Sequence, residues 1–144
     1  LPTEEERERA ARGREGHDYP WGEAYRTGYA NINEKAAKAG DWYLEQTTAV
    51  GVYPQSASSE GVLDLVGNVW EWCLNKDGRP EQVAADTTGD ERALRGGGSW
   101  HDSLVFALGS QSFRSGPVAR VGNLGFRLVL PSRLLDRRSL STAA

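Results

Sequence analysis

The segment 61–72 limits the possible folds of this chain more than any other part of the sequence. It combines large apolar side chains with oxygen-bearing ones in one short stretch. In an extended strand, Trp70 and Trp72 lie on one face and Glu71 lies on the other. The carboxylate then either faces water or turns back toward Asp64 and nearby carbonyl oxygens. We therefore expect this segment to form the centre of the fold.

Two interpretations of the segment remain open. In the first, two strand-like runs form a polar hairpin that turns at Gly67–Asn68 over a tryptophan core. In the second, Asp64 and Glu71 form a hard-cation site together with carbonyl oxygens around the turn, because calcium ions take carboxylate and backbone oxygens together at loops. The spacing alone does not decide between them, since a motif match is a hypothesis.

Length and composition favour one loop-rich domain. A chain of 144 residues with 17 glycines and five tryptophans is long enough to bury a core of its own.

No apolar run reaches the length of a membrane span, and the first residues do not form a signal peptide. The net charge of −3 argues against general nucleic-acid binding, although the arginines of 133–137 form a basic tail. We expect a monomeric domain, and the start at Leu1 predicts that an upstream segment is missing.

The single cysteine, Cys73, excludes an internal disulfide and a cysteine zinc cluster. Two states of the thiol are open, a buried inert group and a reactive one. We expect the buried state.

The first residues contain a helix start signal. Thr3 is an N-cap and Glu6 stands at the capping-box position, followed by a charged stretch that ends at Gly13. We predict a helix over Glu4–Arg12 that lies on the surface and packs through its alanines.

Four further segments carry structural predictions. Residues 41–44 and then 47–53 indicate a loop leading into a strand, and 73–93 indicates a long polar excursion on the surface. The glycines of 96–98 indicate close backbone packing and not a phosphate cradle, because no Lys-Ser/Thr pair follows them. The alternation over 124–130 predicts a final core strand. Its inward side chains are predicted to be Phe126, Leu128 and Leu130.

Successive blocks along almost the whole chain resemble the formylglycine-generating-enzyme (sulfatase-modifying factor) superfamily. The blocks are Leu1-Pro-Thr-Glu4, Ala10-Ala-Arg-Gly13, Tyr19-Pro-Trp-Gly22, Ala30-Asn-Ile32, Asp64-Leu-Val-Gly-Asn-Val-Trp-Glu-Trp72, Leu94-Arg-Gly-Gly97 and Gly125-Phe-Arg127. The resemblance implies a single domain over 1–144 with a C-type-lectin-like α+β fold and little regular secondary structure.

The resemblance also implies two structural calcium ions. The first set of ligands is Asn31 and Ile32 with Asp41 and Tyr43 nearby. The second set is Asp64, Gly67, Val69 and Glu71, with Gly67 and Val69 contributing backbone oxygens. One departure from the family pattern is Arg7, where the family usually has tryptophan.

The chemistry of the enzymes in this superfamily does not carry over to the chain. Enzymes that make formylglycine use two cysteines after the Gly-Gly-Ser-aromatic block to bind copper, and the residues after Trp100 include none. The related sulfoxide synthases use three histidines to bind iron, whereas this chain has only His17 and His101. The Ser, His and Asp residues of 99–103 are adjacent, which does not produce a catalytic relay without special geometry. We therefore expect no copper, no iron and no catalysis.

The segment 101–124 mixes aromatic, aliphatic and small polar residues without helical or strand periodicity. This composition is typical of a binding surface, and a packed structural loop is the alternative. The Gly-Gly-Ser-Trp block before it and the Gly-Phe-Arg block after it are similar to those of the variable proteins of diversity-generating retroelements, which carry this lectin-like fold. The predicted ligand-binding residues are Trp100, His101, Asp102, Ser103, Val105, Phe106, Leu108, Ser110, Phe113, Ser115, Val118, Val121 and Asn123.

That second resemblance implies a limit on the residues in the segment. Retroelement copying changes adenines in asparagine codons, which never yields Lys, Glu, Gln, Met or Trp, and within 101–124 only Gln111 falls outside the allowed set. The sequence thus predicts a recognition domain for an unknown protein or small-molecule ligand. Two alternatives stay open: a catalytically altered or inactive member of the enzyme family, and a structural module of a larger chain.

Overall fold

The computed structural model describes residues 1–79, 81, 88–98 and 100–130. Most of these residues lie in loops and turns, in agreement with the predicted α+β fold of low regular secondary structure. The elements in chain order are helix α1 (Glu4–Arg12), a 3₁₀ helix (Pro54–Ser56), strand β1 (Trp70–Lys76), strand β2 (Arg92–Arg95), a 3₁₀ helix (Leu104–Phe106), strand β3 (Ser112–Ser115) and strand β4 (Leu124–Gly125). The predicted basic tail at 133–137 lies outside the described residues. No helix among those described is both long and apolar enough to cross a membrane.

Helix α1 begins and ends as predicted. The Thr3 hydroxyl accepts a hydrogen bond from the Glu6 N–H at 3.1 Å, and the Glu6 carboxylate accepts one from the Thr3 N–H at 2.8 Å. Gly13 ends the helix with φ 65°, a left-handed conformation that favours glycine. The packing face differs from the prediction, because it buries Arg7 as well as Ala11.

The four strands form one sheet in the order β3-β2-β1-β4. Strand β2 lies antiparallel to both β1 and β3, and β4 pairs with β1 in parallel. Strand β1 continues through Lys76, so the prediction of a surface excursion starting at residue 73 was wrong. Cys73 and Asn75 are buried because they lie on the inner face of this strand.

The strands predicted elsewhere along the chain are shorter than expected or absent. The described residues 47–53 and 61–69 include no strand, so the segment 61–72 is a loop that enters β1 and not a hairpin. The prediction of a core strand over 124–130 was also wrong, since only Leu124–Gly125 pairs. Phe126, Leu128 and Leu130 are 67%, 76% and 71% exposed. Beyond Gly125 the chain leaves the sheet, and Val129 is also exposed, whereas Arg127 reaches the Glu71 carboxylate.

The core has an aromatic part next to the sheet. Its buried members are Tyr19, Ala30, Ile32, Val66 and Ala107. The glycines after β2 allow the close approach that the sequence predicted. A Cβ atom at Gly96 would lie 2.8 Å from the Val69 carbonyl oxygen, and one at Gly97 would lie 2.9 Å from that of Leu108. Residues 96–97 therefore pass directly between the start of β1 and the segment 101–124.

Candidate functional site

The predicted binding segment forms much of the wall of a cavity of about 310 Å³ at the face of the sheet. The sheet contributes Trp70, Leu94, Phe113, Ser115 and Leu124, and the loops contribute His101, Asp102, Phe106, Val121 and Asn123. We call this set the sheet-face cavity. Its volume falls at the lower end of the range for small-molecule sites.

Trp70 forms the fixed floor of the sheet-face cavity. Its side chain is held in β1 with only 5% of its surface exposed. The indole N–H donates to the Asp102 carboxylate at 2.9 Å, and the backbone N–H donates to the Asn123 carbonyl at 2.8 Å. The two bonds attach both ends of the loop segment to the same buried residue.

The cavity walls are apolar side chains with much of their surface in solvent. Phe113 on β3 is 56% exposed, Phe106 at the end of its 3₁₀ helix is 42% exposed, and Val121 is 56% exposed. Exposed aromatic groups around a concavity are typical of recognition sites, because they offer large apolar contact area with little loss of side-chain entropy on binding.

The polar end of the cavity is formed by His101 and Asp102. The His101 ring contacts the Trp100 ring edge-to-face at 5.0 Å, and its Nε2 lies 4.0 Å from the Asp102 carboxylate. That separation exceeds a hydrogen bond. The Asp102 carbonyl accepts the Asn33 N–H at 2.9 Å, which fixes the backbone at this point. The pair places an imidazole and a carboxylate at this end of the cavity.

The structure brings only part of the predicted binding set together. His101, Asp102, Phe106, Phe113, Ser115, Val121 and Asn123 line the cavity, whereas Trp100, Ser103, Val105, Leu108, Ser110 and Val118 do not. Leu108 packs against the aromatic core instead. Val105 and Val118 face solvent with 68% and 83% exposure.

The binding prediction missed the framework side of the cavity. Trp70 was predicted only as a core anchor, and Leu94 and Leu124 carried no binding prediction. The available signal was that Trp70 lies in the block that the chain shares with the superfamily. Its place beside 101–124 depends on sheet pairing, which the sequence pattern did not reveal.

Cys73 does not provide a reactive thiol. It is 1% exposed in β1, and burial raises the pKa of the thiol to about 12. The thiol is therefore protonated at neutral pH and is a poor nucleophile or metal ligand. Of the adjacent residues considered for a catalytic relay, Ser99 lies outside the described residues.

The first predicted calcium set lies in loops around a second cavity of about 320 Å³, which Asn31, Ile32 and Tyr43 help to line. The Asn31 carbonyl already accepts the Asn68 N–H at 2.8 Å, and the Ile32 carbonyl accepts the Glu34 N–H at 3.1 Å. A carbonyl oxygen retains a second lone pair, so these groups are still available to a cation. The set stays a prediction.

Glu34 is a carboxylate that the sequence reasoning missed beside this first set. It is fully buried, and its backbone N–H also donates to the Trp42 carbonyl at 3.0 Å, between the expected ligands Asp41 and Tyr43. Its Oε1 accepts from Tyr25 and from the Gly28 N–H. Its Oε2 is buried and has no partner among the described residues. A buried carboxylate oxygen without a partner fits a nearby cation.

The second predicted calcium set does not fit an ion. The Glu71 carboxylate contacts guanidinium groups instead: Arg7 Nε lies 2.6 Å from Oε2, and Arg127 Nη2 lies 2.6 Å from Oε1. The Asp64 carboxylate turns away to accept the Gly51 N–H at 2.7 Å. Burial alone would raise the pKa of Glu71, but the hydrogen bonds and charges of Arg127 and Arg7 outweigh it and lower that pKa.

The other two expected ligands of this second set are backbone oxygens. The Gly67 carbonyl accepts the Val69 N–H at 2.8 Å, and the Val69 carbonyl faces Gly96. Across the described ranges, no three histidine, cysteine, aspartate or glutamate side chains are grouped to hold a metal ion. The second set therefore has no convergent pair of carboxylates.

Comparison with known protein families finds a match over residues 1–131 to the family described as "Sulfatase-modifying factor enzyme 1-like domain". A relative from Bos taurus, "Inactive C-alpha-formylglycine-generating enzyme 2", is 39% identical over 140 residues, which cover 88% of this chain and 42% of the relative. "Formylglycine-generating enzyme" from Streptomyces coelicolor is 32% identical over 149 residues, covering 88% and 45%. The chain spans less than half the length of these relatives.

Solved structures show the same fold. "Treponema denticola variable protein 1" superimposes with a TM-score of 0.63 and 28% identity, covering 88% of this chain and 45% of that one. PvdO from Pseudomonas aeruginosa gives a TM-score of 0.67 with 24% identity, covering 88% and 50%. The predicted α+β, formylglycine-generating-enzyme-like fold is thereby confirmed.

Proposed function

Because the chain belongs to the sulfatase-modifying factor enzyme 1-like family, we propose that it is a ligand-binding domain that recognises its target through the sheet-face cavity. It acts as a recognition module and not as a catalyst, in the manner of the variable proteins of diversity-generating retroelements. The similarity in sequence and fold to a solved variable protein supports this proposal.

The observation that carries the proposal is how the segment 101–124 is attached to the fold. Three of its attachments use backbone atoms: Asp102 accepts from Asn33, Gly109 donates to Asp18, and Asn123 accepts from Trp70. Backbone groups are the same in every residue. The side chains that line the cavity are therefore free to differ while the loop keeps its path.

Strand β3 supports the same conclusion. It pairs with β2 along its whole length, from Arg92 opposite Ser115 to Arg95 opposite Ser112. The Arg95 guanidinium also donates to the Ser110 carbonyl at 2.6 Å, another backbone acceptor within the segment. The framework thus holds the strand while Phe113 projects into the cavity.

Some side chains of the segment also bond to the framework, among them those of Ser112 and Arg114. Two further positions are fixed more tightly. Ala107 is completely buried in the aromatic core, and Asp102 receives the Trp70 indole N–H through its side chain. A larger residue at the first position would clash in a close-packed interior. We therefore assign these two positions to the framework, although Asp102 also faces the cavity.

The absence of a reactive thiol supports a non-catalytic role. Cys73 is the sole cysteine of the chain and is buried in β1. Several relatives bear names of active enzymes and others are called inactive, so the second candidate is a catalytically altered or inactive member of the enzyme family. That candidate is favoured by the 39% identity to the relative from Bos taurus.

The chemistry of the cavity suggests what the ligand presents. Its apolar walls favour an aromatic or aliphatic group, and Asp102 favours a hydrogen-bond donor beside that group. The volume of about 310 Å³ suits a small molecule or an anchoring side chain of a protein.

The DNA around the coding sequence provides the decisive test. We expect a reverse transcriptase gene nearby and a near-copy of codons 100–127 with adenines at the cavity-lining positions. If the surrounding sequence contains neither, the chain is not a retroelement-diversified protein and the second candidate takes its place.

A further inference from the structure

The Glu71 carboxylate lies at the meeting point of three parts of the chain. Arg7 approaches from helix α1, Arg127 from the residues after β4, and Glu71 itself from β1. The side chains of these residues are 2%, 21% and 8% exposed, in that order. The charges therefore interact in an environment with little screening by water.

The two guanidinium groups also satisfy backbone oxygens of the loop before β1. Arg7 Nη2 donates to the Leu65 carbonyl at 3.0 Å. Arg127 donates to the carbonyls of Leu63 and Asp64 at 3.2 and 2.8 Å. Together the guanidinium groups face two carboxylate oxygens and three carbonyl oxygens. This combination of oxygens is what a calcium ion takes in loops.

We propose that Arg7 and Arg127 together replace the second structural calcium ion in this chain. Two guanidinium groups supply the same formal charge as one divalent cation and meet the same kinds of oxygen. A calcium ion would need to lie about 2.3–2.6 Å from the Glu71 oxygens, which is the space that the guanidinium nitrogens occupy. The like charge of the two arginines also opposes entry of a cation.

This replacement affects the sheet-face cavity through Arg127. That residue follows β4 closely, and Leu124 of β4 lines the cavity. The ion pair with Glu71 therefore fixes one wall of the cavity without a metal. The inference concerns the framework and does not depend on the proposed ligand-binding function.

The test compares calcium binding by the purified chain with binding by two variants, using isothermal titration of calcium chloride. Asp64→Asn and Glu71→Gln each remove an expected carboxylate ligand of the second site. We expect the wild type and both variants to bind the same number of calcium ions, whatever that number is. The loss of one ion in either variant would overturn the proposal. Asp64→Asn retains an oxygen acceptor for the Gly51 N–H, so it remains informative if Glu71→Gln does not fold.

A second measurement tests the role of Arg7 with chelator present throughout. Arg7→Gln breaks a buried ion pair, and we expect its melting temperature to fall by roughly 10 °C or more. Arg9→Gln on the same helix is the matched control, because Arg9 pairs with Glu60 at an exposed position. This variant is expected to shift the melting temperature by about 2 °C or less. Equal melting of the two variants would contradict the proposal.

Discussion

The rings of Trp70 and Phe113 lie 5.6 Å apart between centroids, although β1 and β3 are separated by β2. The first ring is 5% exposed and belongs to the buried framework, and the second is 56% exposed and belongs to the candidate binding segment. Their contact marks the boundary between the part of the fold that must stay constant and the part that is free to vary.

We expect changes at the cavity rim to leave stability almost intact. Replacing His101, Ser115 and Val121 together by alanine removes three side chains of the cavity rim. Each is expected to change the free energy of unfolding by within about ±0.5 kcal/mol. Trp70→Ala empties a buried site and is expected to cost about 3–5 kcal/mol. Urea unfolding of both variants measures the difference. If the triple variant unfolds as readily as the tryptophan variant, the rim is part of the core.

We expect Phe106 and Phe113 to be the affinity anchors of the cavity, because aromatic side chains dominate the energy of recognition sites. The neutral apolar dye Nile red is a suitable probe. Replacing both residues by alanine should weaken its binding about tenfold or more, the effect of losing over about 1.4 kcal/mol. Val118→Ala is the control, since Val118 is exposed outside the cavity. An equal effect of the control would show that the dye binds elsewhere.

We expect the chain to lack copper-dependent thiol oxidation. The chain has one cysteine, whose thiol pKa of about 12 keeps it protonated, so it does not offer the thiolate that this chemistry needs. Mass spectrometry of a cysteine-containing sulfatase peptide, incubated with the protein, copper and oxygen, should show no aldehyde. The formylglycine-generating enzyme from Streptomyces coelicolor serves as the positive control. Aldehyde formation above the level of a protein-free sample would refute the expectation.

We expect calcium to stabilise the chain through the first ligand set, with Glu34 as an additional ligand. Calcium should raise the melting temperature of the wild type relative to chelator, because an ion that binds only the folded state stabilises it. Glu34→Gln should remove that difference, whereas Glu60→Gln at an exposed position should retain it. A calcium effect of the same size in all three proteins would exclude Glu34 as a ligand, and no effect in the wild type would exclude the site.

We expect Glu71 to make the chain sensitive to acid. Its folded-state pKa lies below its ordinary value of 4.5, so the folded state binds fewer protons at this group than the unfolded state does. The stabilisation is therefore complete above the unfolded pKa and is lost as the pH falls through the folded pKa. A carbon-detected NMR titration of the Glu71 carboxyl tests this directly. A midpoint at or above 4.5 would show that the arginines do not outweigh burial.

Features with a local cause were predictable from the sequence. The capping box of Thr3 and Glu6 joins residues that are close in the chain, so its pattern specifies the helix start without tertiary information. The close approach at Gly96 was predictable for the same reason, because glycine is the residue that allows it.

Features that depend on distant residues were not predictable. The apolar alternation at 124–130 does not say which residue beyond β4 contacts the rest of the fold. Arg127 makes that contact by reaching Glu71, which is 56 positions away. Strand β3 also escaped prediction, because its residues face solvent on both sides and lack the apolar alternation of a half-buried strand. The cavity itself required the sheet order, which no short pattern encodes.

The contacts of helix α1 have a consequence for the order in which the fold is completed during synthesis. Glu4 receives hydrogen bonds from Arg95 and from Ser112, which is 108 positions later. Arg7 and Arg127 both donate to the Glu71 carboxylate. Within the described residues, helix α1 is synthesised before the strands that it packs against. Contacts of such long sequence separation form slowly because loop closure precedes them. Helix α1 thus acquires its native surroundings only after the later strands have been made.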